Sequence, residues 1–163
     1  GCAEEAIRSR FTKDGVSRNL KYAAEQVIET ERWWYVPYRW IGCAGFIVNK
    51  EGLYVNWLGS ALSLEQCFWG HDHGIFHDLV DFTFYPNTEL TLAARLLSKF
   101  KHQHLNLLGR FPCEPVWYRD SAIADALAGQ FPTFRRHFVW FGIPELRRAY
   151  EEEGLRFTCG LSQ

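Results

Sequence analysis

Short runs of apolar, aromatic and β-branched residues, bounded by glycine, proline and other turn formers, predict the β-strands of this chain. They span residues 33–40, 42–49, 53–58, 76–85, part of 131–141, and 155–159. Lys50-Glu51-Gly52 predicts a hairpin turn between the second and third of these runs. Pro37 interrupts the first run. Because proline cannot donate a ladder hydrogen bond, that run is predicted to be an edge strand or an extended approach to the sheet.

Apolar residues at helical spacing predict the remaining elements. The predicted helices span residues 19–30, a short stretch from Ser60 or Ser63 to Phe68, 89–100, 121–129, and 144–153. Asn19 and Thr88 are favourable residues for capping the helices that follow them. Pro144 and Gly154 stand at the first turn and just past the end of the last helix, where these residue types are favoured.

Strands and helices are therefore mixed along the chain, and a hairpin leads the predicted sheet. This order favours an α+β fold with a mainly antiparallel sheet and several packed helices over a doubly wound parallel sheet. The length of 163 residues is that of about one domain. Residues 1–18 are polar and are expected to be poorly ordered, and residues 19–163 are expected to form a single domain.

Aromatic residues stand out in the composition, at 17% of the chain. Most of them are expected in the core, but Trp and Tyr also anchor protein–protein contacts, and some should reach the surface. The formal net charge is −1, and no basic stripe is present. Since a nucleic-acid-binding protein normally carries excess positive charge to neutralise phosphates, direct binding of DNA or RNA is disfavoured.

The five cysteines are odd in number and widely spaced, and no CxxC or Cys/His zinc spacing occurs in the sequence. This pattern favours reduced thiols in a cytoplasmic protein over a disulfide framework. No apolar run approaches the roughly 18–20 residues needed to span a bilayer. The chain is therefore expected to be cytoplasmic, with no membrane partner.

The segment around His71 and His73 is the sharpest candidate for chemistry. Two imidazoles at this spacing on an extended segment point to the same side, which suits a transition metal, and His77 and Asp78 offer further ligands. The alternative is a glycine-flanked loop whose imidazoles bond to backbone groups or water. His102-Gln103-His104 repeats the spacing but more simply continues a polar helix face.

Nucleophilic catalysis has less support. Cys67 precedes His71 and His73, and Asp72 is available to orient an imidazole, but a buried helical cysteine gives the same pattern. The sequence contains no G-x-S-x-G, P-loop or G-x-G-x-x-G motif. With no complete catalytic motif, the chain is interpreted as a protein-binding module and not as an enzyme.

Three stretches of the sequence carry a resemblance to a known family. They are Arg32-Trp33-Trp34 with Ile41-Gly42-Cys43-Ala44-Gly45-Phe46-Ile47-Val48, then Asn56-Trp57-Leu58-Gly59-Ser60-Ala61-Leu62, then Phe68-Trp69-Gly70-His71. Together they resemble immunity proteins of bacterial contact-dependent growth inhibition systems, over about residues 27–100. The resemblance implies a cytoplasmic protein that binds a cognate toxin domain, frequently a nuclease, and blocks its active site or its access to substrate. It implies no catalytic residues.

The predicted function is therefore neutralisation of the C-terminal toxin domain of a large secreted effector, without a cofactor. The residues predicted to contact the toxin gather polar groups around one large ring: Glu65, Trp69, His71, Asp72 and His73. The alternative is a metal-dependent hydrolase that uses His71, His73 and His77 or Asp78. An interaction domain with no toxin partner is a third reading.

Overall fold

The computed structural model describes residues 2–10, 24–40, 42–85, 89–100, 128 and 133–162. The chain divides into two compact units, Gly1–Leu64 and Glu65–Gln163. Each unit contains helix and an antiparallel sheet, so the predicted α+β class is confirmed. The predicted helix over 121–129, apart from Ala128, and the His102–His104 pair lie outside the described residues. Within the described part of the chain, no helix is long and apolar enough to cross a membrane.

The first unit is built on an antiparallel sheet with the strand order β1-β2-β3-β4. Its strands are β1 (Ile28–Glu29), β2 (Trp33–Trp40), β3 (Cys43–Asn49) and β4 (Val55–Gly59). The turn that was predicted at residues 50–52 joins β3 to β4, whose register pairs Val48 with Val55 and Phe46 with Trp57. The sheet therefore confirms the predicted hairpin.

The described end of the predicted 19–30 helix is not an α-helix. A 3-10 turn covers Ala24–Gln26, and β1 follows at Ile28–Glu29. The β-branched residues Val27 and Ile28 favour extended backbone, and pairing of Ile28 with Tyr35 adds a short strand to the sheet. The prediction of an α-helix was therefore wrong for residues 24–30.

Strand β2 lies between β1 and β3 and not at the edge of the sheet. The position of Pro37 explains how an interior strand tolerates proline: β1 pairs only with Trp34 and Tyr35, so Pro37 lies beyond its end. On its other side Pro37 pairs with Gly45 of β3, next to a register shift. The missing N–H of Pro37 therefore removes no bond to β1.

Helix α1 spans Cys2–Arg10, in the segment that was predicted to be poorly ordered. Ala3, Ala6 and Ile7 recur at helical spacing, and Ile7 is fully buried in a cluster with residues of the sheet. That cluster contains Val36, Tyr38, Cys43, Phe46, Val48 and Val55. The short apolar stripe was overlooked among polar neighbours. Residues 11–18 of the predicted segment lie outside the described residues.

The second unit is built on an antiparallel sheet with the strand order β6-β5-β7. Its strands are β5 (Val80–Phe84), β6 (Thr133–His137) and β7 (Phe157–Leu161). Its described α-helices are α2 (Leu64–Asp72), α3 (Leu90–Phe100) and α4 (Ile143–Glu151), and a 3-10 turn at Trp140–Gly142 precedes α4. Phenylalanine rings pack across the sheet, with the centroid of Phe82 4.8 Å from those of both Phe84 and Phe157. Much of the aromatic content is therefore core.

Candidate functional site

Helix α2 extends further than the sequence analysis predicted. It continues past Phe68 to Asp72 and ends in a Schellman motif, in which the Ile75 N–H donates to the Gly70 carbonyl at 2.8 Å and the Gly74 N–H donates to the His71 carbonyl at 3.1 Å. Gly74 has φ +75°, the left-handed conformation that this motif requires. The His71–His73 segment is therefore a helix end and not an extended strand, so the two imidazoles do not project to one side.

The His71 side chain faces the interior of the second unit. It is 2% exposed, and its ring meets Phe76 edge-on with the centroids 4.7 Å apart. Two residues along a helix are about 200° apart around its axis, so the buried position of His71 turns His73 towards the other side. This placement removes His71 from the predicted group of exposed toxin contacts, because its side chain belongs to the core.

His73 packs against Trp69 at the surface end of α2. The two rings are stacked with centroids 4.0 Å apart, and the His73 Nδ1–H donates to the Trp69 carbonyl at 2.7 Å. Tyr150 of α4 meets both rings edge-on, at centroid distances of 4.8 Å from His73 and 5.9 Å from Trp69. Trp69, His73 and Tyr150 are all half-buried. The predicted pair Trp69 and His73 is thus brought together with a tyrosine that the sequence did not indicate.

His77 and Asp78, the other predicted metal ligands, contact different groups. The His77 ring meets Phe138 and Trp140 edge-on, and burial lowers its pKa, an effect that the nearby Asp78 carboxylate only partly offsets. The Asp78 carboxylate accepts the backbone N–H of Leu79 at 2.8 Å. Within the described residues, no group of three or more His, Cys, Asp or Glu side chains is placed to hold a metal ion. The geometry therefore does not favour the hydrolase alternative.

Cys67, the candidate nucleophile, is fully buried in α2. Loss of solvent raises the pKa of its thiol to about 11, so the sulfur is protonated at neutral pH. Because the thiolate is the nucleophilic form, a thiol in this environment is inert. The structure thus favours the alternative in which Cys67 is a buried helical cysteine and not a nucleophile.

Helix α4 supplies the second half of the surface around Trp69. The two helices approach closely where α2 has Gly70, since a Cβ placed there would lie 2.5 Å from the Ile143 Cδ1 atom at the start of α4. The Arg147 guanidinium bridges the helices, with Nη2 2.9 Å from Glu65 Oε1 and Nε 3.1 Å from Glu151. This bridge joins α2 to α4 beside the aromatic rings.

Arg156 follows α4 and contacts the ring of Tyr150. Its guanidinium lies 4.4 Å from the Tyr150 ring centroid, and Nη1 donates to the backbone carbonyls of Tyr150 and Leu155 at 2.7 and 2.9 Å. We call this whole region the Trp69 surface. It comprises Glu65, Trp69, Asp72, His73, Arg147, Tyr150, Glu151 and Arg156.

The Trp69 surface has the composition of a protein-binding hot spot. Half-buried Trp and Tyr rings lie at its centre, and charged side chains surround them, with Glu65, Asp72, Glu151 and Arg156 exposed. Glu65, Trp69, Asp72 and His73 were predicted, whereas the four residues from α4 and beyond were missed. Only the i, i+4 spacing of Arg147 and Glu151 was visible in the sequence, and it does not indicate which other helix the pair faces.

A cleft of about 290 Å³ adjoins the Trp69 surface, with Arg156 in both. Its other lining residues include Tyr85, Glu89, Leu92 and Glu153. The volume lies at the lower limit for small-molecule sites. The Glu153 carboxylate is paired with Arg95 and lies 3.8 Å from Arg148, so the carboxylate that lines the cleft is already bound. The cleft therefore offers less to a ligand than the open aromatic surface beside it.

Comparisons with known proteins add no assignment. The chain matches no model of a protein family, no curated protein and no solved structure.

Proposed function

We propose that this protein is a cytoplasmic immunity protein, which binds a cognate toxin domain and neutralises it without catalysing a reaction. The proposal combines the sequence resemblance over residues 27–100 with one structural observation, the half-buried Trp69–His73–Tyr150 ring cluster in the Trp69 surface. Binding of a partner covers the exposed part of these rings, and removal of that apolar area from water stabilises the complex.

Rigid aromatic anchors suit a tight inhibitor because little conformational freedom is lost when they bind. The Trp69 and His73 rings are held by their mutual stacking and by the hydrogen bond to the Trp69 carbonyl. Arg156 holds Tyr150 through its ring contact and its bonds to backbone carbonyls. A surface whose rings are fixed before binding keeps more of its contact energy as affinity.

The charges of the Trp69 surface indicate what the toxin presents to it. Glu65 and Asp72 are exposed carboxylates on α2, and Glu151 adds a third on α4. Arg147 pairs with both Glu65 and Glu151, so basic groups of the toxin compete with Arg147 for these two carboxylates. A nuclease domain carries a basic groove for the phosphates of its substrate, and carboxylates around an aromatic anchor complement such a groove. Occupation of the groove by this surface excludes the nucleic acid.

The test of this function is purification of the protein from its native host, followed by identification of the proteins that remain bound after a salt wash. We expect one toxin domain in stoichiometric amount, and we expect expression of this chain to protect cells from that domain. Recovery of the protein without a stoichiometric partner, together with no protection against any toxin encoded beside its gene, contradicts the proposal.

A further inference from the structure

Arg147 is the charged side chain that joins the two helices of the Trp69 surface. Its Nη2 donates to Glu65 Oε1 on α2 at 2.9 Å, and its Nε lies 3.1 Å from each carboxylate oxygen of Glu151 on α4. One guanidinium therefore neutralises two of the carboxylates around the rings. The surface presents less negative charge to a partner than its acidic residues alone would give it.

This bridge is open to solvent. The side chains of Glu65 and Glu151 are 77% and 45% exposed, and that of Arg147 is 29% exposed. Water competes with ion pairs at such positions, so the bridge contributes little to the stability of the fold. Its main effect is on the electrostatic potential that an approaching protein meets.

Carboxylates at a surface attract every basic protein, because charge complementarity raises the rate of encounter with any partner of opposite sign. The contact that distinguishes a cognate toxin is the one with the half-buried Trp69 and Tyr150 rings, since burial of apolar area requires a matching surface. A bridge that lowers the affinity for all basic proteins by the same factor releases the weakly bound ones and leaves a tightly bound toxin in place.

We propose that Arg147 screens the carboxylates of the Trp69 surface, so that the affinity for a partner depends on the rings and not on basic charge alone. In the complex, basic side chains of the toxin replace the Arg147 guanidinium on Glu65 and Glu151. The partner in this inference rests on the proposed function, whereas the screening is a property of this chain by itself and is tested separately.

The first test uses poly-L-lysine, a probe with basic charge and no specific shape, which is titrated at low ionic strength with the wild type and two variants. Arg147→Met removes the charge and the donors and keeps an apolar stem. Arg148→Met is the matched control, because it removes the same charge from the next residue of α4, while Glu153, 3.8 Å from Arg148, stays paired with Arg95. We expect poly-L-lysine to bind about fivefold more tightly to Arg147→Met and less than about twofold more tightly to Arg148→Met. Equal affinities of the two variants overturn the screening.

The second test measures the association rate with the toxin domain that co-purifies with the protein, by stopped flow over a range of salt concentrations. Arg147→Met should associate about fivefold faster than Arg148→Met at low salt, and the difference should disappear near about 0.5 M salt. Slower association of Arg147→Met would show that the bridge positions the carboxylates for the toxin, which overturns the proposal. If the wild type binds no toxin domain, the proposed function fails, and the titration with poly-L-lysine still decides whether Arg147 screens the surface.

Discussion

The indole of Trp69 and the imidazole of His73 lie stacked, with their centroids 4.0 Å apart, across one turn at the end of α2. The stacking fixes two side chains of the predicted toxin-binding segment in one orientation, and Tyr150 supports both from α4. The Schellman motif at Gly74 ends the helix directly after this pair, so His73 remains next to Trp69 and at the surface. The pair is therefore the centre of the Trp69 surface.

Trp69→Ala is expected to weaken toxin binding by at least about 2 kcal/mol, or about 30-fold in Kd. The substitution removes the largest ring of the surface and leaves His73 without its stacking partner. The measurement is titration calorimetry with the purified toxin domain. Phe141→Ala is the matched control, since Phe141 is an exposed aromatic residue of the same unit (47%) outside the Trp69 surface, and its Kd should be unchanged.

Trp69 also meets the Phe157 ring, so its loss is expected to reduce stability as well. Asp72→Arg tests the charge of the surface without removing a ring, because it reverses an exposed charge on α2 and leaves Trp69 in place, and its melting temperature is measured together with protection. We expect Asp72→Arg to abolish protection of cells. Full protection by both variants places the toxin contact elsewhere on the molecule.

Strands β2 to β7 could be predicted because their apolar and β-branched runs end at turn formers, whereas the two-residue strand β1 was predicted as the end of a helix. The turn at residues 50–52 is an example: the paired strands on either side of it confirm the hairpin. The end of α2 was missed although Gly74 provided the signal, since glycine is the favoured residue just after a helix. His71 and His73, which precede Gly74, were interpreted as possible metal ligands on an extended segment, so the helix was predicted to end at Phe68.

The composition of the Trp69 surface could be predicted only on the α2 side. Arg147 contacts Glu65 although 82 positions separate them along the chain, and a pattern in one sequence does not encode such a pairing. Tyr150 has ordinary helical spacing in α4, so periodicity assigns it to a face but does not identify Trp69 as its neighbour. Tertiary packing, and not local preference, completes this surface.

Gly74→Ala is expected to destabilise the protein by about 3 kcal/mol or more. Gly74 has φ +75°, and an added Cβ would lie 2.1 Å from the Cys159 carbonyl oxygen, so the cost of left-handed backbone is combined with a backbone clash. Gly154→Ala is the matched control, because Gly154 has the same φ but no atom within 4 Å of the added Cβ. It should cost about 1–2 kcal/mol. Equal free energies of unfolding in urea for the two variants would show that the Cys159 contact is unimportant.

Added zinc or manganese is expected to leave the melting temperature of chelator-treated protein unchanged. The three histidines of the predicted metal site each pack against a different ring: His71 against Phe76, His73 against Trp69 and His77 against Phe138. A metal that binds the folded state stabilises it by mass action, so a shift of several degrees at a stoichiometric dose would restore the hydrolase hypothesis. Differential scanning calorimetry with and without each metal makes this measurement.

Protonation of His77 is expected to destabilise the fold in mildly acidic solution. Burial lowers the pKa of His77 in the native state, so below its ordinary value of 6.5 the unfolded chain binds this proton more readily than the folded protein does. The free energy of unfolding should therefore fall as the pH decreases through 6.5 towards the native pKa, and this group should contribute no pH dependence above neutrality. His77→Gln removes the titrating group, and its free energy of unfolding, measured in urea at closely spaced pH values, should decline less over this window. The buried His71 and His137 are present in both proteins, so they cancel in the comparison. Identical slopes in the two proteins would show that His77 is not responsible for the loss of stability.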